Sequence, residues 1–247
     1  MTYAQRVNFS SMSIAPSVLS QPAPAAGKEP AGRGRPKSEE KARAILAAAT
    51  RLFLERGLSG ASMDAVAKAA GVSKQTVYAH FANKEALFRT CIRAKVAAHG
   101  FSADAVPESA EVSELIYRLA RRFMDLVLDP EVIAMHRVVM GEAMSHPRIA
   151  ELFYENGPAA AHEAASGLLR RLTEQGLLRP HDSDYAAWQL LNMSFGGCHT
   201  QLLFGLIPEV PEAQMETQLR RVAADFETLY GAGPHGRSHA PPVAPCP

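Results

Sequence analysis

The segment Ser73 to Phe81, SKQTVYAHF, carries side chains that suit hydrogen bonding to DNA. Gln75 has the amide geometry that pairs bidentately with adenine, and Thr76 offers a methyl group and a hydroxyl to thymine or its neighbours. Lys74 and Tyr78 suit phosphate oxygens, because they end in an ammonium and a hydroxyl. The pattern therefore favours a short helix whose polar face enters the major groove of duplex DNA.

The residues before this segment predict a helical hairpin that would hold it in place. Ser62 is expected to cap a first helix, and Gly71 supplies the left-handed conformation that a tight turn needs. Ser73 is expected to cap the second, very short helix, while Val72 and Val77 fill the space between the two. Two helices joined by a short turn that contains glycine form a helix-turn-helix.

Neighbouring helices complete a predicted three-helix DNA-binding domain over residues 38–84. Ser38 is expected to cap its first helix, which Gly57 should end, and Asn83 is expected to cap a longer helix that follows the hairpin. Lys84 lies at the start of that longer helix and is a candidate phosphate ligand, as is the hydroxyl of Ser62.

Charge is divided unevenly along the 247 residues. Residues 28–100 hold fourteen Lys and Arg against six Asp and Glu, whereas residues 101–247 hold eleven Arg, no Lys and nineteen acidic residues. A basic part beside an acidic part indicates that the first meets a polyanion and the second has another task. The basic excess separates this hairpin from an amphipathic hairpin formed by chance.

A basic segment, GRGRPK, precedes the first predicted helix. It ends residues 1–37, which are rich in Ser, Pro, Ala and Gly and, like residues 233–247, are predicted to be disordered. Arg33 and Arg35, together with Lys37, would suit a narrow minor groove if the segment acts as a flexible arm. The alternative is a solubilising linker that adds only nonspecific attraction to DNA.

One continuous segment resembles the DNA-binding domain of TetR-type transcriptional repressors: GLSGASMDAVAKAAGVSKQTVYAHFANKEALF. The residues that match the family pattern are Ser62, Val66, Ala67, Ala70, Gly71, Val72, Ser73, Val77, Tyr78, His80, Phe81, Lys84 and Leu87. The resemblance implies that Tyr78, His80 and Lys84 approach phosphates or fix the recognition helix, and that residues 74–76 read bases. His80 is alternatively a packed histidine. Later segments, MHRVVMGEA, ELFYENGP and LFGLIPEV, are similar to the AcrR-like branch with an AefR-type C-terminal domain.

The acidic part, residues 85–232, is predicted to be a helical ligand-binding and dimerisation domain, which makes the fold class all-α. Its apolar residues return every three or four positions, and Pro and Gly separate the helical stretches. Helices are expected, beyond the one that Asn83 caps, at residues 112–128, 131–144, 147–154, 158–175, 183–204 and 211–230.

The last two predicted helices carry the expected dimer interface. One recognition helix reads only a few base pairs, so a homodimer is expected to present two of them to a palindromic site. An apolar stripe recurs on the last helix, and Gly196 on its neighbour would let another helix approach closely. The members of the stripe are Met215, Leu219, Val222 and Phe226. The alternative is that the stripe packs onto its own domain.

A mixture of methionines, aromatic residues and a few polar groups in the acidic part is typical of an adaptable ligand cavity. The candidates are Phe123, Met124, His136, Met140, Trp188, Asn192, Phe195 and His199. Each is alternatively an ordinary core residue. The resemblance implies an inducer cavity here, whose ligand would stabilise a dimer with recognition helices that no longer match the groove spacing.

No motif predicts catalysis. His162–Glu163 lacks the second histidine of H-E-x-x-H, and neither a nucleophile elbow nor a phosphate-binding glycine loop occurs.

We therefore predict a repressor of efflux or other genes that is not an enzyme and needs no cofactor. Its expected partners are double-stranded DNA, a hydrophobic or aromatic inducer and a second copy of the chain, and no membrane is expected to take part. Three cysteines without C-x-x-C and the absence of a signal pattern predict a cytoplasmic location. The alternatives are a redox- or metal-responsive repressor, through Cys198–His199, and a nonspecific DNA-organising protein.

Overall fold

The computed structural model describes residues 35–100 and 111–233, with only the backbone of residues 35–37. Its ten helices are α1 Arg35–Gly60, α2 Met63–Ala70, α3 Lys74–His80, α4 Lys84–Ala98, α5 Val112–Val127, α6 Pro130–Glu142, α7 Pro147–Asn156, α8 Pro158–Glu174, α9 Ser183–Leu203 and α10 Glu212–Tyr230. Within these ranges no strand forms, apart from one isolated bridge between Leu178 and Gly231. The all-α prediction is confirmed.

Local capping fixes the hairpin of α2 and α3. The side-chain oxygens of Ser62, Ser73 and Asn83 each accept a hydrogen bond from the backbone N–H three residues further on, at 3.2, 3.1 and 2.8 Å. Gly71 adopts φ +66°, and the N–H of Val72 donates to the carbonyl oxygen of Ala67 in α2 at 3.1 Å. Each cap satisfies a backbone group that a helix end leaves without a partner, so these boundaries follow from the sequence.

The first helix differs from its prediction at its start. It begins at Arg35, so Ser38 lies inside the helix instead of capping it. Pro36 is compatible with this earlier start, because proline fits the first turn of a helix. Gly57, with φ 72° and ψ 171°, leaves the helical conformation, so the first long helical segment stops there as expected and a short segment follows to Gly60. A Cβ on Gly57 would lie 1.7 Å from Oε1 of Glu142, so a larger residue would have to displace this carboxylate.

Two hydrophobic clusters hold the helices together. The first joins α1 to α4 with α6 and α7, and contains the edge-to-face pair Phe53 and Phe88, whose ring centroids are 5.5 Å apart. The second joins α5, α8, α9 and α10. Helix α4 contributes Leu87 and Phe88 to the first cluster, and its Val96 packs against the second. The helix that follows the DNA-binding hairpin therefore connects both halves of the molecule.

The apolar stripe of α10 is buried within its own chain, which is the alternative that the sequence left open. Met215 and Val222 expose only 8% and 6% of their surfaces, and Leu219 and Phe226 expose 0%. These side chains pack in the second cluster with Leu119 and other apolar residues of α5, because that helix presents a matching stripe. In the single subunit these side chains are therefore part of the core of their own domain.

Gly196 also has its close neighbour within the chain. It interrupts α9 with φ 51°, and a Cβ there would lie 2.3 Å from Nε2 of Gln218 on α10. That amide donates to the carbonyl of Ser194 at 2.9 Å, which gives a partner to a backbone group freed by the bend. The expected close approach at Gly196 is therefore made by α10 of the same subunit, although the backbone of Gly196 stays exposed.

None of the helices in the described ranges combines the length and the apolar character that a membrane span requires.

Candidate DNA interface and ligand cavity

Helix α3 has one buried face and one exposed polar face. Val77 is fully buried, whereas Lys74, Gln75 and Tyr78 are exposed, and Tyr78 shows 46% of its surface. Thr76 is partly buried beside them. The exposed face therefore presents an ammonium, an amide and a phenol hydroxyl that can hydrogen-bond to a partner.

Two of the predicted contact residues already have partners inside the chain. Nζ of Lys74 lies 2.8 Å from Oδ1 of Asp64 on α2, and that hydrogen bond raises the pKa of Lys74. The hydroxyl of Thr76 lies 2.8 Å from that of Ser73. No described residue hydrogen-bonds to the amide of Gln75. Of these side chains, Gln75 is therefore the most readily available to a base edge.

Lys84 and Ser62 lie at the start of the neighbouring helices, beside the turn that joins α1 to α2. Nζ of Lys84 donates to the carbonyls of Ala61 at 2.9 Å and Ser59 at 3.3 Å, and Ser62 uses its hydroxyl for the cap of α2. Sequence reasoning treated Lys84 as a phosphate ligand, with a role in fixing the recognition helix as the other possibility that the resemblance implies, and this contact is of the second, structural kind. Sequence reasoning missed Glu142, whose carboxylate accepts from the hydroxyl of Ser59 at 2.8 Å and so ties α6 to the same turn.

The remaining predicted DNA contacts are His80 and the basic residues that precede the hairpin. His80 is partly buried, with its ring 6.2 Å from that of Phe81. Arg33 lies outside the described residues, and so do the side chains of Arg35 and Lys37. Helix α1 takes in the backbone of residues 35–37, which the sequence prediction had given to the disordered arm.

A cavity of about 720 Å³ lies between the N-terminal helices and the C-terminal domain. Leu46 of α1 and Ile92 of α4 line it on one side, and residues of α5 to α9 line it on the others. Among the predicted ligand residues, Phe123, His136, Trp188 and Phe195 line the cavity. The mixture of aromatic and polar residues seen in the sequence thus converges on one space, and this space touches the helix that supports the hairpin.

Four predicted ligand residues do not line the cavity. Met124 is buried in the second hydrophobic cluster and is not part of the cavity wall. Met140 and Asn192 are exposed, one turn beyond His136 and Trp188 respectively. His199 is buried behind Phe195, with their rings 4.5 Å apart. These last three residues share a helix face with a residue that lines the cavity but lie one turn further along the axis, a distinction that composition alone does not reveal.

One end of the cavity is charged, and sequence reasoning missed this group. The charged pole consists of Lys95, His99, Asp129 and Glu131. Nζ of Lys95 lies 2.9 Å from Oδ2 of Asp129 and 2.8 Å from Oε2 of Glu131, and Nε2 of His99 lies 3.3 Å from the same oxygen of Asp129. The contacts tie α4 to the start of α6. The available signal was a lysine on the otherwise apolar face of α4.

Burial and hydrogen bonds set the charges in and near the cavity. Burial opposes ionisation of Asp129, but hydrogen bonds from His99 and Lys95 outweigh it and lower the pKa of Asp129 to about 2. Burial lowers the pKa of His136, and burial together with His136 lowers the pKa of His199 to about 4. Burial raises the pKa of the Cys91 thiol to about 12. At neutral pH the carboxylate is therefore ionised, whereas both imidazoles and the thiol are neutral.

The proposed sensor pair Cys198–His199 does not converge in space. Sγ of Cys198 accepts a hydrogen bond from Nε2 of Gln214 at 3.0 Å, whereas His199 is buried against Phe195. In the part of the chain that the structure describes, no three His, Cys, Asp or Glu residues are grouped so as to hold a metal ion. Adjacent helical residues point about 100° apart, which explains the separation.

Comparison with family models gives two matches in succession along the chain. Residues 45–91 match the model described as bacterial regulatory proteins of the tetR family, and residues 114–232 match the C-terminal domain of AefR-like transcriptional repressors. The first match covers α2, α3 and most of α1 and α4, and the second covers α5 to α10.

Individual relatives agree with these matches. The HTH-type transcriptional regulator YdeS of Bacillus subtilis, itself uncharacterised, is 46% identical over 55 residues, which are 22% of this chain and 28% of that protein. The first curated relatives are matched over only 28 to 33% of their own lengths. The solved structure of the flavonoid-responsive regulator FrrA is 32% identical with a TM-score of 0.65, covering 79% of this chain and 99% of that one. A structure from Mesorhizobium loti assigned to the TetR family is 27% identical with a TM-score of 0.64, covering 79% and 98%.

Proposed function

Because this chain belongs to the TetR family of DNA-binding transcriptional regulators, we propose that it is a repressor that binds a palindromic operator as a homodimer and leaves it when a small aromatic ligand binds. The observation that carries the proposal is the position of the cavity. Its wall includes α1 and α4, the helices against which the hairpin packs, so a ligand there contacts the supports of the recognition helix. Its binding energy can therefore favour one orientation of the hairpin over another.

In the proposed complex α3 lies in the major groove. Gln75 and Thr76 contact base edges, while Lys74 exchanges Asp64 for a phosphate oxygen. The exposed Lys74–Asp64 pair contributes little to stability, so this exchange has a low cost. We also propose that the flanking residues contact phosphates. Within and beside the hairpin they are Ser62, Ser73, Tyr78, His80 and Lys84, and before the hairpin they are Arg33, Arg35 and Lys37.

Replacing Gln75 by alanine is expected to weaken binding to the operator by about 1 to 3 kcal/mol and to relax the base preference at one position in each half-site. Binding to random duplex should change little, because the exposed amide of Gln75 adds no charge for phosphates. An operator is first selected from random duplexes, and both affinities are then measured by fluorescence anisotropy at one salt concentration. Gln175→Ala, at the exposed end of α8, is the matched control. Equal losses on operator and random duplex would contradict base reading.

The proposed dimer interface is formed by the outer faces of α9 and α10, opposite the buried stripe. On α10 this face carries exposed small or polar residues at helical spacing, which are Gln214, Thr217, Arg221, Ala224 and Thr228. At the end of α9, Phe204 is 66% exposed and Leu206 just beyond it is 72% exposed. Small residues allow close helix approach, and the exposed apolar side chains would be buried by a second copy.

The proposed ligand is aromatic and largely apolar, since Phe123, Phe153, Trp188 and Phe195 surround the cavity. FrrA is named as flavonoid-responsive, which is compatible with a ligand of this class for the present chain. We infer efflux genes as targets from the AcrR-like resemblance alone, and the neighbouring genes on the chromosome are the direct check.

Addition of a flavone to the complex of protein and selected operator is expected to release the DNA. Release should saturate at one ligand per subunit, because the proposed binding cavity lies within a single chain, between its two halves. Fluorescence anisotropy follows the DNA and calorimetry follows the ligand. Leu191 lines the cavity, and the larger side chain of Leu191→Trp should occupy the space of the ligand. This variant should still bind the operator but should no longer release it when flavone is added. Ligand binding that leaves operator affinity unchanged would contradict the proposed induction.

A further inference from the structure

The charges of the cavity wall point to a particular class of ligand. Among the described residues that line the cavity, the formally charged ones are Lys95, Asp129 and Glu131, all of them in the charged pole. With the imidazole of His99 neutral, one ammonium against two carboxylates leaves the wall with an excess negative charge. We propose that the ligand is an uncharged aromatic molecule that donates a phenolic hydroxyl to this end of the cavity, and that aromatic carboxylates are rejected.

The ammonium of Lys95 already pairs with two carboxylates. It lies 2.9 Å from Asp129 and 2.8 Å from Glu131, and only 21% of its side chain is exposed. These two contacts occupy two of its three N–H groups. A carboxylate ligand that used the third N–H group would lie beside Asp129 and Glu131, and the repulsion between these like charges opposes its binding.

Acceptors remain available at the same end of the cavity. Oδ1 of Asp129 accepts from the backbone N–H groups of Glu131 and Val132, and its Oδ2 faces Lys95, so this carboxylate is fully used. Glu131 contacts Lys95 through Oε2, and no described residue hydrogen-bonds to its other oxygen. This second oxygen of Glu131 lacks a hydrogen-bond donor, and a ligand that donates a hydrogen bond to it would supply one.

His136 adds a second acceptor one turn along α6. Its Nδ1 lies 3.1 Å from the carbonyl oxygen of Val132, which can only accept, so Nδ1 carries the proton. Because burial keeps the ring neutral, Nε2 is left as an acceptor. The ring lines the cavity and packs edge-on against Phe153, with centroids 4.7 Å apart. Glu131 and His136 therefore present acceptors beside aromatic walls, which is the chemistry that recognises a phenol.

The cavity wall also includes residues that carry hydrogen-bond donors. Trp188, whose indole can only donate, and Tyr154, which has a hydroxyl, are among the residues that line the cavity. A ligand that carries both a hydroxyl and a carbonyl acceptor matches both kinds of group. This inference rests on the proposed aromatic ligand and specifies its charge and its donor group.

Three matched probes test the inference on the full chain by calorimetry. They are flavone, the flavone hydroxylated at the para position of its phenyl ring, and the flavone carboxylated at that position. The hydroxylated probe is expected to bind about tenfold more tightly than flavone, because it adds one hydrogen bond in a shielded site. The carboxylated probe is expected to bind about a hundredfold more weakly than the hydroxylated one, because it meets an excess of like charge.

Two variants separate the two parts of the inference. Glu131→Gln removes the excess charge and is expected to raise the affinity for the carboxylated probe about tenfold, a gain that misfolding cannot imitate. His136→Phe removes an acceptor and should bring the hydroxylated probe to within about threefold of flavone. His146→Phe, at an exposed position outside the cavity wall, is the control and should change neither probe.

The outcomes distinguish this inference from the proposed function. If the carboxylated probe binds as tightly as the hydroxylated one, or if flavone and the hydroxylated probe bind equally well, the inference is overturned while the aromatic ligand stands. If none of the three probes binds, the proposed aromatic ligand fails, and the inference fails with it.

Discussion

Phe226→Ala is expected to lower the free energy of unfolding by about 3 to 5 kcal/mol, which is the range for removing a fully buried phenylalanine. The ring is 0% exposed in one subunit and lies 4.6 Å from the ring of Tyr230, centroid to centroid. It fills the space between α10 and α5, so alanine leaves a cavity in the second hydrophobic cluster. Urea denaturation followed by circular dichroism measures the change.

The control for this variant lies one turn further along the same helix. Leu229 is 43% exposed, so Leu229→Ala should change the free energy of unfolding by no more than about 0.5 kcal/mol. A different pattern is expected if the stripe faced a second copy. Phe226→Ala would then leave the subunit stable and would make the dimer dissociate at micromolar concentration, which analytical ultracentrifugation detects. That result would support the dimer interface that was predicted from the sequence, in which the stripe contacts a second copy.

Ala224→Glu is expected to give a monomer and to weaken operator binding by about two to four orders of magnitude. Ala224 is exposed on the outer face of α10, and a symmetric interface would bring two copies of the new carboxylate close together. Loss of the dimer removes the second recognition helix, so each half-site would be bound independently. Ultracentrifugation reports the oligomeric state, and anisotropy on the selected operator reports the affinity.

Ala44→Glu is the matched control for the dimer prediction. It places the same charge at an exposed position of α1, and the protein should remain a dimer. The urea midpoint of both variants should stay close to that of the parent protein, because neither position is buried. A dimeric Ala224→Glu protein with normal operator affinity would show that the subunits meet through another face.

Local chemistry made the DNA-binding hairpin predictable. Ser62, Ser73 and Asn83 satisfy backbone groups within three residues of themselves, and Gly71 permits the turn that follows α2. The start of α1 was missed, because Ser38 is a suitable cap and Pro36 is equally suitable in a first turn. Periodicity and the positions of Pro and Gly also located α5 to α10, with boundaries close to those observed.

The sequence did not predict which surface covers the apolar stripe of α10. A stripe shows that a helix buries one face, but it does not show whether the cover is α5 of the same chain or a second subunit, since both remove the same area from water. For Phe226 the packing of α5 against α10 gives the answer.

Sequence patterns thus determined the helices, the hairpin and its exposed polar face, because each of these depends on residues at most four positions apart. The cavity and its charged pole depend on contacts between residues far apart in the chain. Lys95 meets Asp129 and Glu131 only because α4 packs beside the start of α6, and Trp188 reaches the same cavity from α9. Such contacts arise from how helices pack, so the folded chain alone places these groups together.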